Sequence, residues 1–380
     1  MSYNVTEIGE GAFKDNNLLV SIDLLPEVGH ITVIGARAFK NCTNLFEIVL
    51  PVGLTTIEAE AFSGCNLTKI TIPASVTSIG ENAFAFCSGL TIDLSDIPDN
   101  ITSTDIGTNA FNNVHLTATL TDTESGNALE RLSSVFDGYD VEANFTRGFS
   151  NGVASTVCLP FDFTPTGGTY YTFDSVDENW TTVTMKTAEP DNHATTDDNG
   201  HLQANTPYLF MPTADGQVDF TGIITNVASS YTAGTTTPDG SPWTFTGTYV
   251  EKRWDVNDNN TERRIFGFAT GQGYEGTVAS TAAGEFIRLN SGGIKPFRAY
   301  LEYTGTLQAR TRGEGGLPET MTVRLVNANG EIQGIGEIRL DTGEVTFDSN
   351  AWYDLNGRRL EGKPSEKGIY INGGRKVVIK

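Results

Sequence analysis

Three cysteines recur at a fixed place in the sequence, where metal or disulfide chemistry would first be sought. Cys42, Cys65 and Cys87 each follow a phenylalanine by three residues. Zinc sites need cysteine or histidine pairs at close spacing, and the sequence contains none. Stacked repeats would bring these thiols within disulfide distance, so a bridge is allowed without being required. Because the equivalent positions elsewhere hold Asn16 and Val114, the pattern predicts small, buried, structural residues.

The other residues able to carry chemistry form no catalytic arrangement. Carboxylates are abundant, but no pair stands out as the two acids of a glycosidase. Segments 197–200 and 255–260 are rich in Asp and Asn, but Asn260 stands where a calcium loop needs glycine, which favours polar turns. The four histidines stand outside any zinc-binding or hydrolase motif: His30, His115, His193 and His201. We therefore expect no enzyme, no metal and no cofactor.

Aromatic residues offer an alternative chemistry, the stacking of sugar rings. Trp180, Trp243 and Trp254 lie in the central part of the chain and could form such a platform. Tryptophan in a β-domain belongs more often to the core, which is the preferred interpretation. The alternative function is a carbohydrate-binding protein that uses these central aromatics.

Charge and length limit the class of protein. A formal net charge of -22 argues against a nucleic-acid partner, because phosphate binding needs a positive surface. No stretch of about 18 apolar residues is present, so no membrane span is predicted. A composition rich in Thr, Gly, Asn and Asp favours an extracellular β-protein. The length of 380 residues predicts two or three domains.

Five repeats in the first third of the chain would position a binding surface. Each copy has an isoleucine, a glycine or glutamate, two further residues and then Ala-Phe. The repeat phenylalanines are Phe13, Phe39, Phe62, Phe84 and Phe111. Their spacings of 26, 23, 22 and 27 residues predict a solenoid, in which coils stack because none can bury its apolar face alone. This architecture favours a binding scaffold over an enzyme pocket.

A strand-like Leu-x-x-Ile-x-Leu segment follows each repeat phenylalanine. Copies one to three lie at 19–24, 45–50 and 67–72, the fourth at 90–94 is shorter, and the fifth at 116–120 is degenerate. Alternation along a strand turns Ile and Leu inward and the residues between them outward. We expect these outward residues to form one partner-binding surface, the strand face, consisting of Ser21, Asp23, Phe46, Glu47, Val49, Lys69, Thr71 and Asp93.

The repeat unit Ile-Gly-x-x-Ala-Phe-x-x-Cys-x-x-Leu-x-x-Ile-x-Ile-Pro resembles the BspA-like leucine-rich repeat. That family is found mainly in surface proteins of Bacteroidetes and of some parasitic protists. The resemblance covers residues 8 to about 120 and departs from the pattern at Asn16 and Val114. It implies a parallel strand stack with a concave face, and adhesion to host or matrix proteins.

The residue pattern divides the chain after residue 120 into further segments. Residues 121–144 are expected to form a helical cap and connector, with a helix within 121–137 that stops at Gly138. Its apolar residues at helical spacing are Leu129, Leu132, Val135 and Phe136. Residues 145–311 contain short Thr-, Tyr- and Phe-rich runs between Gly, Pro, Asp and Asn, which predict an antiparallel sandwich or barrel-like domain.

Two further resemblances concern this second part of the chain. Segments 156–161, 204–208 and 294–300 are similar to a β-domain that accompanies these repeats in Bacteroidetes surface proteins, and the resemblance brings no catalytic residues. Residues 312–380 are expected to form a linker and a small C-terminal β-module with turns at 356–357 and 373–374. That module is similar to C-terminal tails of secreted Bacteroidetes proteins, some of which are sorting signals, and a packed terminal module is an equal alternative.

The whole sequence thus predicts a mainly β protein: a short leucine-rich-repeat solenoid at 1–120, a β-rich domain and a small β-module. The predicted function is a non-enzymatic cell-surface or secreted binding protein, whose partner is a protein, a matrix or host macromolecule, or a glycan. The segment before Ile8 lacks the basic and apolar parts of a signal peptide. Because the repeats start by Ile8 with no cap ahead of them, and solenoid ends normally need capping, we expect the sequence to belong to a longer natural chain.

Overall fold

The computed structural model describes residues 5–24, 30–121, 127–188, 200–228, 231–254, 265–268, 286–288, 292–305, 320–334, 337–338, 345–346, 352–353, 359–360, 362–372 and 375–379. The described chain is mainly β-strand, which confirms the predicted fold class. It divides into two compact units. The first comprises Met1–Leu120, Ala128–Phe145 and Thr221–Ser230, and the second comprises Thr121–Asn127, Thr146–Phe220 and Tyr231–Lys380.

The repeat region contains short strands, and one α-helix, α1 (Asn127–Phe136), follows it within the described residues. Two turns of 3-10 helix lie at Leu94–Asp96 and Ser103–Asp105. The strands from residue 5 to residue 149 are β1 (Glu7–Ile8), β2 (Ser21–Asp23), β3 (Val33–Ile34), β4 (Glu47–Val49), β5 (Thr56–Ile57), β6 (Ser78–Ile79), β7 (Thr91–Asp93), β8 (His115–Leu120) and β9 (Val141–Phe149).

Parallel ladders run across the repeats. Strands β1, β3, β5 and β6 pair in that order, and the register aligns the repeat isoleucines Ile8, Ile34, Ile57 and Ile79. An isolated parallel bridge adds Ile106 of the fifth copy. Since strands that pair in register stack equal positions directly on one another, every copy contributes one coil to the same column.

The repeat phenylalanines form a second column. Successive rings lie nearly parallel with centroids 5.1, 5.3, 5.3 and 6.0 Å apart. The rings from Phe39 to Phe111 are buried, while Phe13 in the first coil is half-buried. Backbone bonds fix this spacing, since the N–H of each of the first four ring residues donates to the carbonyl of the alanine in the next coil, as from Phe39 to Ala61 over 2.8 Å. The Ala-Phe motif therefore fills the interior between coils.

Each coil turns through two residues with positive φ, one located two residues before the repeat phenylalanine and the other two residues after it. The first position is filled by Gly11, Arg37, Glu60, Asn82 and Asn109. The second position is filled by Asp15, Asn41, Gly64, Phe86 and Asn113. Glycine, asparagine and aspartate tolerate this left-handed conformation, but a bulky aromatic residue rarely adopts it. Phe86, with φ 64°, is therefore the strained member of its column.

Replacing Phe86 by asparagine is expected to raise the free energy of unfolding by about 1 kcal/mol, because asparagine adopts the left-handed conformation at lower cost. Little burial is lost, since 57% of the Phe86 surface is exposed. Chemical denaturation would measure the change. Phe46, an exposed phenylalanine without positive φ, provides the matched control, and Phe46→Asn should not stabilise the protein. Equal effects of the two substitutions would refute the strain argument.

The repeat thiols form a third column, inside the stack. Cys42, Cys65 and Cys87 are buried and free, as is Cys158 in the second unit. Each repeat thiol donates to the carbonyl oxygen of the phenylalanine in the preceding coil, over 3.0 to 3.1 Å. The predicted burial of these thiols is confirmed, and their hydrogen bonds show that they link one coil to the next.

Native protein is expected to resist thiol reagents. Burial raises the pKa of Cys87 to about 11 and that of Cys158 to about 12, and it also raises the pKa of Cys42 and of Cys65. The thiolate is the reactive form, so buried thiols with raised pKa values should react only after unfolding. Labelling with an aromatic disulfide at pH 8, followed by mass spectrometry, would measure this. Modification of a repeat cysteine faster than global unfolding would contradict it.

The same thiols should make the protein less stable in alkali. Above pH 9 the unfolded chain releases thiol protons that the folded chain still holds, so unfolding becomes more favourable as the pH rises towards the folded pKa values. The stability contribution is thus complete below pH 9 and is lost through the range from about 9 to 11 for Cys87. Denaturation midpoints measured across this range would show the fall, and Cys87→Ala should reduce its slope. If Cys87→Ala left the fall of stability with pH unchanged, the Cys87 thiol would not be a cause of that fall.

Helix α1 packs on the last coils, where a cap was predicted. Its residues Leu129, Leu132, Val135 and Phe136 are buried. The Phe136 ring meets Phe111 edge-on at 5.8 Å, continuing the aromatic column with a turned ring. Arg131 donates to the carbonyl oxygens of Ile97, Pro98 and Ile101, which ties the helix to the loop of the fourth coil. Gly138, with φ 82°, follows the helix as predicted.

The second unit is built on an 11-stranded sheet with the order β10-β13-β11-β12-β22-β19-β18-β21-β16-β15, in which β23 also pairs with β22. The strands after β9 are β10 (Ser155–Val157), β11 (Gly168–Val176), β12 (Thr182–Thr187), β13 (Tyr208–Pro212), β14 (Gly216–Ile224), β15 (Thr235–Thr236), β16 (Trp243–Thr248), β17 (Lys252–Trp254), β18 (Ile265–Phe268), β19 (Phe286–Arg288), β20 (Gly292–Ile294), β21 (Arg298–Tyr303), β22 (Thr320–Val326), β23 (Ile332–Gly334), β24 (Glu337–Ile338), β25 (Val345–Thr346), β26 (Trp352–Tyr353), β27 (Arg359–Leu360), β28 (Gly368–Asn372) and β29 (Arg375–Ile379).

Most described pairs of this sheet are antiparallel, as the sequence predicts for the domain. The exception is β12, which runs parallel to β22 over five paired residues. Strand β22 follows the predicted linker in the sequence and nevertheless lies in the middle of this sheet. The linker segment 312–318 itself lies outside the described residues.

The C-terminal strands form a separate antiparallel sheet with the order β27-β26-β28-β29. Strand β26 pairs with β27, and β28 pairs with β29, as two hairpins would. The predicted turn dipeptides 356–357 and 373–374 lie between these strand pairs but outside the described residues. The hairpin pattern read from the sequence is thus matched by the pairing on either side of each turn.

Candidate functional site

The strand face begins on the first two coils, where the predicted alternation is observed. Strands β2 and β4 pair in parallel, with Ser21 opposite Glu47 and Asp23 opposite Val49. These four side chains are exposed, while Ile48 between them is buried. The pleat therefore turns two rows of side chains outward, and the strand pairing holds the rows side by side.

The third coil continues the rows without forming a strand. Lys69 and Thr71 are exposed on either side of buried Ile70, although no strand is present at residues 67–72. The coil is joined to its neighbours by Thr68, whose N–H donates to the Phe46 carbonyl and whose carbonyl accepts from Thr91, each over 3.4 Å. Hydrogen bonds of this length are weak, so the ladder loosens here. The sequence prediction of a strand at 67–72 was wrong, although the exposure pattern is retained.

Asp93 in the fourth coil is only half-buried and already has hydrogen-bond partners. One carboxylate oxygen accepts from the N–H and hydroxyl of Ser95, which caps the 3-10 helix at Leu94–Asp96. The other accepts from the Thr117 hydroxyl over 2.7 Å. The carboxylate of Asp93 therefore stabilises its own coil instead of projecting freely into solvent.

The structure extends the face beyond the residues chosen from the sequence. Strands β7 and β8 pair in parallel, with Thr91 opposite His115 and Asp93 opposite Thr117, and β8 pairs in turn with β9. The fifth repeat, which is degenerate in sequence, thus forms a six-residue strand in register. His115 Nε2 lies 2.9 Å from a carboxylate oxygen of Glu142 on β9. Counting outward from Leu116 could have identified His115, but no repeat motif marks Glu142.

Apolar side chains cluster on the first two coils of the face. Phe46 is 43% exposed and Val49 is 40% exposed. Val20, which the sequence analysis did not select, is 49% exposed and lies next to Phe46, since its carbonyl accepts from the Phe46 N–H over 3.1 Å. Grouped exposed apolar residues mark interaction surfaces more reliably than single ones do. Coils one and two thus carry the apolar part of the face.

The charges of the face are also uneven. Glu47 is exposed and forms no ion pair with another described residue, and it borders Phe46 in the chain. On coils four and five, by contrast, the polar groups Asp93, Thr117, His115 and Glu142 bond to one another. The capacity to form new contacts therefore lies at the end of the face formed by the first coils.

The remaining sequence candidates do not assemble into a site. Trp243 is buried in the core of the second unit, against Phe266 and Tyr303 at ring distances of 5.5 and 5.1 Å, so it is inaccessible to a sugar. Trp180 is half-buried on the same cluster, while the side chain of Trp254 lies outside the described residues, as do segments 255–260 and 197–199. The preferred interpretation of Trp243 as a core residue is confirmed.

No group of three or more His, Cys, Asp or Glu residues within the described part of the chain is arranged to hold a metal ion. In the same part of the chain, no helix has the length and hydrophobicity needed to cross a lipid bilayer.

Comparison with known proteins concerns the repeat region. Residues 6–131 match the family model described as BspA type leucine rich repeat region, in six copies, one more than the Ala-Phe motif reveals. This match confirms the predicted resemblance of the first third of the chain. No curated protein matches the chain.

Solved structures similar to the chain are bacterial leucine-rich repeat proteins. A leucine-rich repeat protein of T. pallidum shares 31% identity over 30% of this chain and 52% of its own, with a TM-score of 0.27. One from Bacteroides ovatus shares 27% identity over 35% of this chain and 34% of its own, with a TM-score of 0.27. A leucine rich cell surface protein of Faecalibacterium prausnitzii shares 27% identity over 31% and 40%, with a TM-score of 0.23. The chain spans about a third to a half of the length of these proteins.

Proposed function

We propose that this protein, whose residues 6–131 form a BspA-type leucine-rich repeat region, is a non-enzymatic binding or adhesion protein. Its partner is a protein or matrix macromolecule, and the strand face makes the contact. The observation that supports this most strongly is the group of Val20, Phe46 and Val49, which are 49%, 43% and 40% exposed beside the carboxylate of Glu47. Interfaces gain most of their energy from a few such apolar anchors surrounded by polar residues.

The stack explains why this face suits a macromolecule. Parallel pairing holds the exposed rows at a fixed spacing, so the partner meets a surface that is already ordered and little conformational entropy is lost on binding. The surface is a shallow row of side chains and not a closed pocket, which suits a protein surface better than a small substrate. The excess of acidic residues, with a formal net charge of -22, also speeds association with a partner that carries positive charge.

The other segments have supporting roles in this proposal. Residues 1–120 bind the partner, and residues 121–144 cap the repeats. The protein acts at the cell surface or after secretion. Its similarity to repeat proteins that include a cell surface protein supports this location.

The proposal is tested with a panel of purified extracellular-matrix proteins and surface plasmon resonance. The double variant Phe46→Ser with Glu47→Lys should weaken binding at least about tenfold, because it removes an anchor and reverses a charge within the apolar part of the face. The matched control is Ile223→Ser with Glu81→Lys. It also replaces an exposed apolar residue by serine and an exposed glutamate by lysine, but at positions outside the strand face. If the strand-face variant bound with the same affinity as the wild type and had an unchanged circular dichroism spectrum, the binding site would not lie on this face.

A further inference from the structure

A second surface lies on the turns that follow the repeat phenylalanines, away from the strand face. We call it the amide edge, and it consists of Asn66, Phe86, Ser88, Asn112 and Asn113. All five side chains are exposed. They come from three successive coils, which backbone bonds hold side by side: Gly64 N–H donates to Ala85 over 2.9 Å, and Phe86 N–H donates to Asn112 over 2.8 Å.

Phe86 is the most unusual residue of this edge. It is 57% exposed, and its φ of 64° is a left-handed conformation that aromatic residues rarely adopt. The same position in the other four coils holds aspartate, asparagine or glycine, which fit that conformation. An exposed aromatic ring maintained in a strained conformation contributes little to folding. Such strain occurs preferentially at functional positions, so we expect the Phe86 ring to contact a ligand.

The amides beside Phe86 have unused hydrogen-bonding capacity. Within the described residues, the side chains of Asn66, Asn112 and Asn113 make no hydrogen bond. Asn66 Oδ1 reaches towards the fourth coil, where a methyl group on Gly89 would lie 3.9 Å from it. By contrast, Asn41 and Asn44 on the second coil already donate to Asp15 and Asn17. Free amides therefore occur on the coils before and after the coil of Phe86.

The amide edge carries no charge. The turn segments 63–68, 85–90 and 112–114 contain neither acidic nor basic residues, in a chain of which 19% is charged. On the preceding coil the position equivalent to Phe86 is Gly64, which has no side chain. An exposed aromatic ring, free amides on the neighbouring coils and an absence of ions together describe a site for a ligand that is neutral and rich in hydroxyl groups.

We propose that the amide edge binds a neutral glycan. A sugar ring presents an apolar face of C–H groups that packs on the Phe86 ring, and its hydroxyls exchange hydrogen bonds with Asn66 and Asn113, whose amides both donate and accept. An acidic or sulfated glycan has no basic residue to bind on this edge. The site differs from the strand face in residues and chemistry, and it also differs from the central tryptophans, of which Trp243 is buried.

The test uses affinity electrophoresis of the whole chain in gels that contain laminarin, glycogen, yeast mannan or arabinoxylan. At least one of these neutral polysaccharides should retard the protein, with little dependence on salt because no ion pair forms. Phe86→Asn should weaken that binding about tenfold by removing the anchoring ring, while the fold is retained. Asn66→Ala with Asn113→Ala should weaken it as well. Phe46→Asn, at an exposed phenylalanine of the strand face, is the matched control and should bind as the wild type does.

Three outcomes would overturn the proposal. One is that none of the four polysaccharides retards the wild type. Another is that Phe86→Asn binds as strongly as the wild type. The last is that the retardation disappears in salt, which would indicate charge attraction. Binding of a matrix protein that is lost with Phe86→Asn, without any glycan binding, would assign the amide edge to a protein partner instead.

Discussion

Replacing Phe62 by alanine is expected to lower the free energy of unfolding by about 4 kcal/mol, the largest effect predicted for a single repeat residue. The Phe62 ring is fully buried and stacks between Phe39 and Phe84, with both centroid distances 5.3 Å. Removing it leaves a cavity lined by rings that the backbone ladder holds in place, so the coils cannot collapse to fill it. Denaturation by urea would measure the loss.

Phe13→Ala is the matched control for this prediction. Phe13 occupies the same position in the first coil, but it is half-buried and stacks on Phe39 alone among the described rings. Its loss should cost roughly half as much, because less apolar surface returns to water. Equal losses at the two positions would mean that stacking between coils contributes little, contrary to the account of the core.

Replacing Gly80 by alanine is expected to cost about 2 kcal/mol of unfolding free energy, because the added methyl group meets the backbone of the preceding coil. It would lie 2.4 Å from the Ala59 nitrogen and 2.5 Å from the carbonyl carbon of Glu58, distances at which the backbone must move. Thermal or chemical unfolding would measure the change. The equivalent glycine Gly107 approaches the preceding coil just as closely, since a methyl group there would lie 2.3 Å from the Glu81 nitrogen, whereas the third copy has Glu58 at this place.

Gly9→Ala tests the same substitution without the same neighbour. Gly9 is the equivalent residue of the first coil, and a methyl group there would meet no atom within 4 Å. This variant should therefore be neutral or slightly stabilising, since alanine restricts the unfolded chain more than glycine does. If Gly80→Ala were as harmless as Gly9→Ala, the approach of successive coils would be looser than described.

The columns of the repeat region could be predicted because equal residues recur at equal positions. The spacing of Phe39, Phe62 and Phe84 implied stacked coils, and the cysteines three residues later, with Asn and Val at equivalent positions, implied a small buried residue in each coil. The exposed rows of the strand face were likewise accessible from alternation, and Glu47 and Lys69 are indeed exposed. The sequence shows which residues recur, and the stacking of coils places these recurring residues in columns.

The features that sequence reasoning missed depend on contacts between residues distant in the chain or on backbone conformation. Asp93 follows the outward pattern, yet Thr117, 24 residues later, captures its carboxylate. The parallel pairing of β12 with β22 joins segments about 140 residues apart, and no local pattern marks it. The left-handed conformation of Phe86 was missed because aromatic residues do not normally signal one.

The central claim is that the first two coils of the strand face bind a macromolecular partner. Its most direct test is site-specific photo-crosslinking with a matrix protein that binds in the panel, using a photoreactive residue in place of Glu47 or in place of Glu81. Both positions are exposed, but only Glu47 belongs to the strand face. A strong crosslink is expected from position 47 and little or none from position 81. Crosslinking from position 81 alone, or a panel in which no protein binds the wild type, would contradict it.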